Sequence, residues 1–380
     1  MAVAFLLPLA GTARAATNFW QGTTTNGTST ANWSLGALPT NTADTMTMEQ
    51  SGSLSAKVDM GATNITVTNL VVTNFSGNVV LTNVRDFRLY STTAAALSAN
   101  GAAGSTLYIY NSQASSAAIL SSSTAQTFGG NMSVYLDRFV THTTTARILT
   151  QNLTNFTINN FLINPNSALP NATTTFQGTG TTTIAGVISQ STNANPNPYM
   201  ISVNSGTVNI TGTNNSASWR NGLLIKNGGS VYIADQGSLG GTGDLLLQGT
   251  TTATGTFGLT AGSLAAVALS NNLVISNSSS SVVQSIVAGT GKTLTINGVI
   301  SSANTNGTLI FGAGKVVLAG SNTYNMAATV IAGSLIINGN QSGATNVLTV
   351  AAGATLGGSG TNGGATTISG VLAPGTASAR

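Results

Sequence analysis

Apolar and polar residues alternate along most of this chain. The stretches NITVTNLVVTNF (Asn64 to Phe75), GTVNITG (Gly206 to Gly212), GKTLTING (Gly291 to Gly298) and GKVVLAG (Gly314 to Gly320) carry Val, Ile or Leu at about every second position. A period of two sends alternate side chains to opposite faces of a strand. Gly, Asn or Ser closes each run after four to eight residues, as turn residues close strands. Helical periodicity is nearly absent. The pattern predicts an all-β protein of many short strands, each with one buried face and one face of Thr, Ser or Asn.

The strands repeat. TTTIAGVISQ (Thr181 to Gln190) resembles KTLTINGVISS (Lys292 to Ser302). A polar loop follows each, then a Gly-bounded strand: GTVNITGTNNS in one copy, GKVVLAGSNTY in the other. NGGSVYI (Asn227 to Ile233) and IAGSLII (Ile331 to Ile337) come next. Glycine blocks close the copies, SLGGTG (Ser238 to Gly243) and TLGGSG (Thr355 to Gly360). A period of about 105 to 115 residues is several coils long.

Two architectures suit short strands without helices: an array of sandwiches and a solenoid of stacked coils. Composition favours the solenoid. Aromatic residues are only 6% of the chain and charged residues only 5%. Stacked coils place equivalent side chains about 4.8 Å apart, where like charges repel and uncharged Thr, Ser and Asn can form ladders. The expected fold is a β-solenoid of stacked coils with Gly/Asn-rich corners. Coils of about 20 to 25 residues would make about 15 coils and a rod near 70 Å.

The C-terminal stretch carries a family likeness. GKVVLAGSNTYNMAATVIAGSLIINGN (Gly314 to Asn340) and LTVAAGATLGGSGTNGGATTISGVLAPG (Leu348 to Gly375) resemble the autotransporter-associated β-strand repeat of bacterial surface proteins. The matching elements are the Gly314–Gly320 strand, Asn322-Thr-Tyr324, Thr329 to Leu335, Leu356 to Gly360, and Leu372 to Gly375. Asn325-Met-Ala-Ala328 stands where the family usually has Thr-Gly-Gly. The N-terminal stretch, with Trp20, Trp33, Gly36, Pro39 and Asp44, is similar to the first mature segment of many such proteins. The resemblance implies a right-handed parallel β-helix, a passenger at or beyond the outer membrane. It implies no particular activity, because the repeat is a scaffold. Gly312, Gly314, Gly320, Asn322, Tyr324, Gly333, Gly357, Gly358, Gly360 and Pro374 are the structural positions expected to bound strands or turn coil corners.

Export fits the rest of the chain. MAVAFLLPLAGTARA has an apolar core from Val3 to Leu9 and an Ala13-Arg-Ala15 site, as in a secretory signal. The expected organisation is a signal peptide over 1–15, a cap and first coils over 16–60, a degenerate solenoid over 61–175, and a solenoid with the family repeats over 176–380, clearest at 312–375. No membrane barrel or sorting helix precedes Arg380, so the expectation is a piece of a longer chain or a separate export route. Cysteine is absent, which rules out disulfides and thiolate metal sites. The formal charge of +4 is dispersed and makes no basic stripe, so nucleic acid is not an expected partner. No apolar run beyond the N-terminus is long enough for a transmembrane helix.

Candidate chemistry is sparse. The one histidine, His142, lies near Asp137, Arg138 and Arg147, but residues 137 and 142 of one strand face opposite ways. Seven acids (Asp44, Glu49, Asp59, Asp86, Asp137, Asp235 and Asp244) supply no close pair of the kind glycosidases and lyases use. Arg85, Asp86 and Arg88 read as a solvated group. GGTGDLLL (Gly240 to Leu247) nearly spells a Ca²⁺-binding nonapeptide, but its Asp comes one residue early. Thr tracts at Thr173 to Thr175 and Thr181 to Thr183 lack the regularity of an ice-binding face. Asn-x-Ser/Thr triplets are abundant by composition alone.

Gly358-Ser-Gly360-Thr-Asn-Gly363 spells G-x-G-x-x-G, but ATTISGVL follows it where a dinucleotide site needs a helix. The expectation is therefore a structural or adhesive protein of the cell surface, without catalysis, metal or cofactor. Its partners would be glycans or proteins, and copies of itself end to end or side by side. A secreted polysaccharide lyase or hydrolase and a self-assembling fibre unit are the competing readings.

Overall fold

The structure, a computed structural model, describes residues 16–22, 24–40, 43–49, 56–89, 95–111, 117–121, 125–143, 147–165, 173–190, 199–213, 222–239, 243–250 and 253–375. The expected signal peptide lies outside them. Strands dominate the described residues, and the helical turns among them are two three-residue 3-10 segments, Thr30–Asn32 and Gln236–Ser238. None of the described helices is long and apolar enough to cross a membrane.

The strands stack in parallel as a β-solenoid. A twelve-stranded sheet runs from Thr17–Phe19 to Ile300–Ser302, and a sixteen-stranded sheet from Lys57–Val67 to Thr366–Ile368. A six-stranded third sheet begins at Ala266–Leu269 and ends at Val371–Pro374. From Ala266 onward the third sheet runs beside the other two, and past Ile300–Ser302 a two-stranded sheet of Asn340–Gln341 and Thr361–Asn362 follows the third sheet in each coil, where the first sheet had stood.

Coil length is less uniform than the sequence suggests. Along the sixteen-stranded sheet, Thr207, Ser230, Thr256, Ser285, Ile310, Thr329, Thr349 and Thr367 occupy one column. The coil between Thr256 and Ser285 is the longest of these, and the coil between Thr349 and Thr367 the shortest. The first exceeds the expected range of about 20 to 25 residues and the second falls short of it. Strand registers are kept while corners absorb the difference.

The next column faces inward. Leu107, Val134, Phe156, Thr182, Val208, Val231, Phe257, Ile286, Phe311, Val330 and Val350 align across successive coils. All are buried, and only Thr182 is polar. Alternation thus becomes a continuous apolar seam. The interior is more aromatic than small β-branched residues alone would make it. Nine of the eleven phenylalanines are buried. Phe139 lies 5.8 Å from Phe161 and 6.2 Å from Phe156, and Phe156 meets Phe128 edge-on at 5.6 Å. Each such ring contributes about 2–3 kcal/mol by burial.

At the N-terminal end, Trp20 and Trp33 pack edge to face at 5.0 Å. The Trp33 indole N–H donates to the Gly27 carbonyl at 2.9 Å. Gly27 N–H donates to Asp59 O and Asp59 N–H to Thr25 O, so this segment covers the open edge of the first long strand.

Candidate functional site

The outward faces carry amides and hydroxyls in registered rows. At one corner of the twelve-stranded sheet, Gln177 Nε2 donates to Thr150 Oγ1 at 3.1 Å, and Asn204 Nδ2 to Gln177 Oε1 at 3.3 Å. Asn227 Nδ2 donates to Asn204 Oδ1 at 3.0 Å, and Thr250 Oγ1 to Asn227 Oδ1 at 2.6 Å. Five side chains from five coils thus form one hydrogen-bonded ladder. Neutral groups can repeat at coil spacing without the repulsion that like charges would suffer.

A second asparagine set lines a groove of about 420 Å³ formed by Asn74, Phe75, Ser76, Asn100, Gly101, Ala102 and Asn131. Asn131 brackets the neighbouring Gly101, accepting its N–H at 2.9 Å and donating to its carbonyl at 3.1 Å. Asn74 donates to Glu49 at 2.8 Å.

Further along the same coils stands a cluster of tyrosines. On the strand Thr106–Asn111, Leu107 and Ile109 point into the core, so Tyr108 and Tyr110 point out. Tyr135, on the strand Ser133–Thr143, pairs with Tyr108. The Tyr108 and Tyr110 rings are parallel within 3° at 5.9 Å, and Tyr135 lies 5.7 Å from one and 5.6 Å from the other. Tyr110 is 36% exposed. Asp137 lies two positions after Tyr135 and accepts from Asn159 Nδ2 at 3.0 Å. Burial, then the Tyr108 ring and Asp137, raise the Tyr110 pKa; burial, then Asp137 and the other two tyrosines, raise that of Tyr135. Both phenols therefore stay protonated donors at neutral pH.

The other acids are engaged locally. Asp44 accepts from Ala16 N at 3.3 Å, Asp59 from Gly61 N at 2.9 Å, and Asp235 from Ser238 N at 3.1 Å. Asp244 accepts from Asn272 Nδ2 at 3.2 Å. Among the described residues no three His, Asp or Glu side chains gather as metal ligands would. The backbone of His142 pairs with Asn164, while the side chains of His142, Arg147 and Asp86 lie outside the described residues. Gly240 to Thr242 of the near-nonapeptide also lie outside them.

The positions singled out from sequence fall at two corners and one strand edge. Gly314 (φ +88°) and Gly333 (φ +68°) stack at one corner, where a Cβ on Gly333 would strike the Gly314 carbonyl. At the other corner Gly298, Gly320, Gly339 and Gly360 form a column, and each of the last three presses on the carbonyl of the glycine one coil earlier. Gly358 (φ +115°) lies against the Ile337 carbonyl and pairs with Pro374, and its neighbour Gly357 pairs with Ala373. Gly312, Gly320, Gly357 and Gly360 do not have positive φ. A Cβ on Gly312 would meet the Val287 side chain. Asn322 is buried and accepts the Ile300 N–H, and Tyr324 is buried beside this corner. The G-x-G-x-x-G run thus joins two consecutive strands of different sheets, Thr355–Gly358 and Thr361–Asn362, and opens no helix.

Sequence reasoning missed the tyrosine cluster. Its signal was present: two tyrosines two apart on an alternating strand, then a third on a later alternating strand. Their adjacency depended on register, which unequal coils conceal.

No family model matches the chain, and no solved structure matches it. A stretch of 66 residues, 17% of this chain, is 50% identical to part of the adhesin BmaC autotransporter of Brucella suis biovar 1 (strain 1330). That stretch is 2% of the relative, so the chain spans a small fraction of its length. Together with the solenoid, the match supports an autotransporter-passenger-like chain.

Proposed function

We propose that this chain is a length of exported, non-catalytic passenger of the autotransporter-associated β-strand repeat kind, and that its lateral faces make adhesive contact at the cell surface. The observation that carries this is the stacking of neutral amides and hydroxyls along a parallel solenoid, as in the Thr150–Gln177–Asn204–Asn227–Thr250 ladder. A rigid rod with such faces presents many hydrogen-bonding groups and little charge. The adhesin match and the likeness of Gly314 to Gly375 to the family repeat support the same reading.

The test uses beads coated with the full chain, applied to cultured epithelial cells. The expected result is saturable attachment above albumin-coated beads that persists at about 0.5 M salt, where charge-driven contacts are screened. Attachment no better than albumin would overturn the reading, as would release of new reducing ends from polysaccharide by the chain.

A further inference from the structure

The tyrosine cluster faces outward, with Tyr110 exposed and Tyr108 and Tyr135 half-buried, and neither the core nor the ladders use it. We propose that Tyr108, Tyr110, Tyr135, Asp137 and Asn159 form a platform that binds sugar units of a neutral glycan. This rests on the adhesive reading above and gives it a place and a ligand class.

The argument begins with what holds the side chains there. The buried neighbours Leu107, Ile109, Val134 and Leu136 fix both strands, so the outward positions cannot rotate away. The registers Tyr108–Tyr135 and Ile109–Leu136 put Tyr110 beside Asp137, and Leu136–Ile158 puts Asp137 beside Asn159. Aromatic carbon and polar atoms thus meet on adjacent coils, about 4.8 Å apart.

A pyranose needs both. Its C–H face packs on aromatic carbon, and its hydroxyls need donors and acceptors at the rim. Phenols both donate and accept, an amide does the same, and a carboxylate has roughly four acceptor sites, of which Asn159 uses one. Polar groups on rigid strands lose little entropy on binding.

Other ligands fit less well. A quaternary ammonium would need separated ring faces to sit between, but these rings already pack against one another at 5.6–5.9 Å. Anionic ligands need a cation, whereas the five platform side chains include a carboxylate and no cation, and the one cation next to them in sequence, Arg138, directly follows that carboxylate. That carboxylate is held by the neutral Asn159 amide and would repel a sulfated or phosphorylated chain. The asparagine groove lies on the same coils, its Ala102 just ahead of the strand that carries Tyr108, so a neutral oligosaccharide could extend toward further amides.

The test is saturation-transfer NMR on the full chain with three probes: a β-linked galactose tetrasaccharide, a β-linked N-acetylglucosamine tetrasaccharide, and a sulfated galactose tetrasaccharide. The expected result is transfer to ring C–H protons of at least one neutral probe and none to the sulfated one. Y110A and D137N should each weaken binding by about tenfold or more. Y110W, which keeps an aromatic face, should retain it. All three variants should match the wild-type circular dichroism spectrum and melting temperature, because the sites are outward-facing.

Binding undiminished in both Y110A and D137N would overturn the proposal, as would preference for the sulfated probe. If coated beads adhere and no neutral probe binds, the platform is wrong and the adhesive reading stands. Beads that fail to adhere, with the neutral probe still bound, would sink the adhesive reading and leave the platform.

Discussion

Asn227 Nδ2 lies 3.0 Å from Asn204 Oδ1, and this contact joins two coils through side chains alone. Asn227 also accepts from both the backbone N–H and the hydroxyl of Thr250, at 3.0 and 2.6 Å. Its backbone is left-handed, φ +44°, which Asn and Gly tolerate better than Ala. N227G should therefore cost about 1–2 kcal/mol for the lost hydrogen bonds. N227A should cost about 1 kcal/mol more, because it adds strain. Urea denaturation of the two variants separates the ladder from the turn; equal stabilities would show that the strain contributes nothing.

Glycines at corners should divide by space rather than by φ. Gly333 and Gly353 both have positive φ, +68° and +83°, but a Cβ at Gly353 meets nothing within 4 Å. One at Gly333 strikes the carbonyl of Gly314. G353A should cost about 1–2 kcal/mol, the strain alone. G333A should cost distinctly more, since a backbone carbonyl cannot step aside without moving a coil. Melting temperatures compared in one buffer provide the check.

Tyr324 should report on alkaline stability. Burial pushes its pKa up to about 12 from 10.0. The folded state thus favours the neutral phenol, and that contribution is complete below pH 10. It is lost as pH rises from 10 through 12, reaching about 2–3 kcal/mol at the upper end. Y324F, which cannot ionise, should match the wild type at pH 8 and exceed it in stability at pH 11.5. Parallel melting curves at both pH values would refute the assignment.

Lys292 should hold one turn. Its ammonium, with three N–H donors, lies within hydrogen-bonding distance of the carbonyls of Thr260, Ala261 and Ser263, at 2.6, 2.7 and 3.2 Å, and of the Ser263 hydroxyl, at 2.8 Å. K292M removes these charge-assisted bonds while keeping the stem. Amide exchange over residues 260–265 should accelerate by about tenfold or more, with distant coils unchanged. Uniform acceleration along the chain would mean that the lysine supports the whole body instead.

Alternation in runs such as Gly314 to Gly320 made the strands and their buried faces legible, because a period of two needs no knowledge of neighbours. Scarcity of charge pointed to parallel stacking for a sound electrostatic reason. Coil boundaries were not legible, since the long coil from Thr256 to Ser285 and the short one from Thr349 to Thr367 each bring their end residues side by side. The same variation hid the tyrosine platform and the asparagine ladder, whose members come from coils of unequal length. Nor could a low aromatic content reveal that most phenylalanines would share one interior.

Stacking of this kind also shapes how the chain can acquire its structure. Among the described residues, the strands of each coil pair with those of the adjacent coils, and none pairs with a distant segment of sequence. Once one coil has formed, its exposed edge is a template for the next, so order can advance as a front while the remaining chain is still threaded elsewhere. A coil that docks also resists backward slippage. In a chain delivered end first, assembly itself would then act as a ratchet.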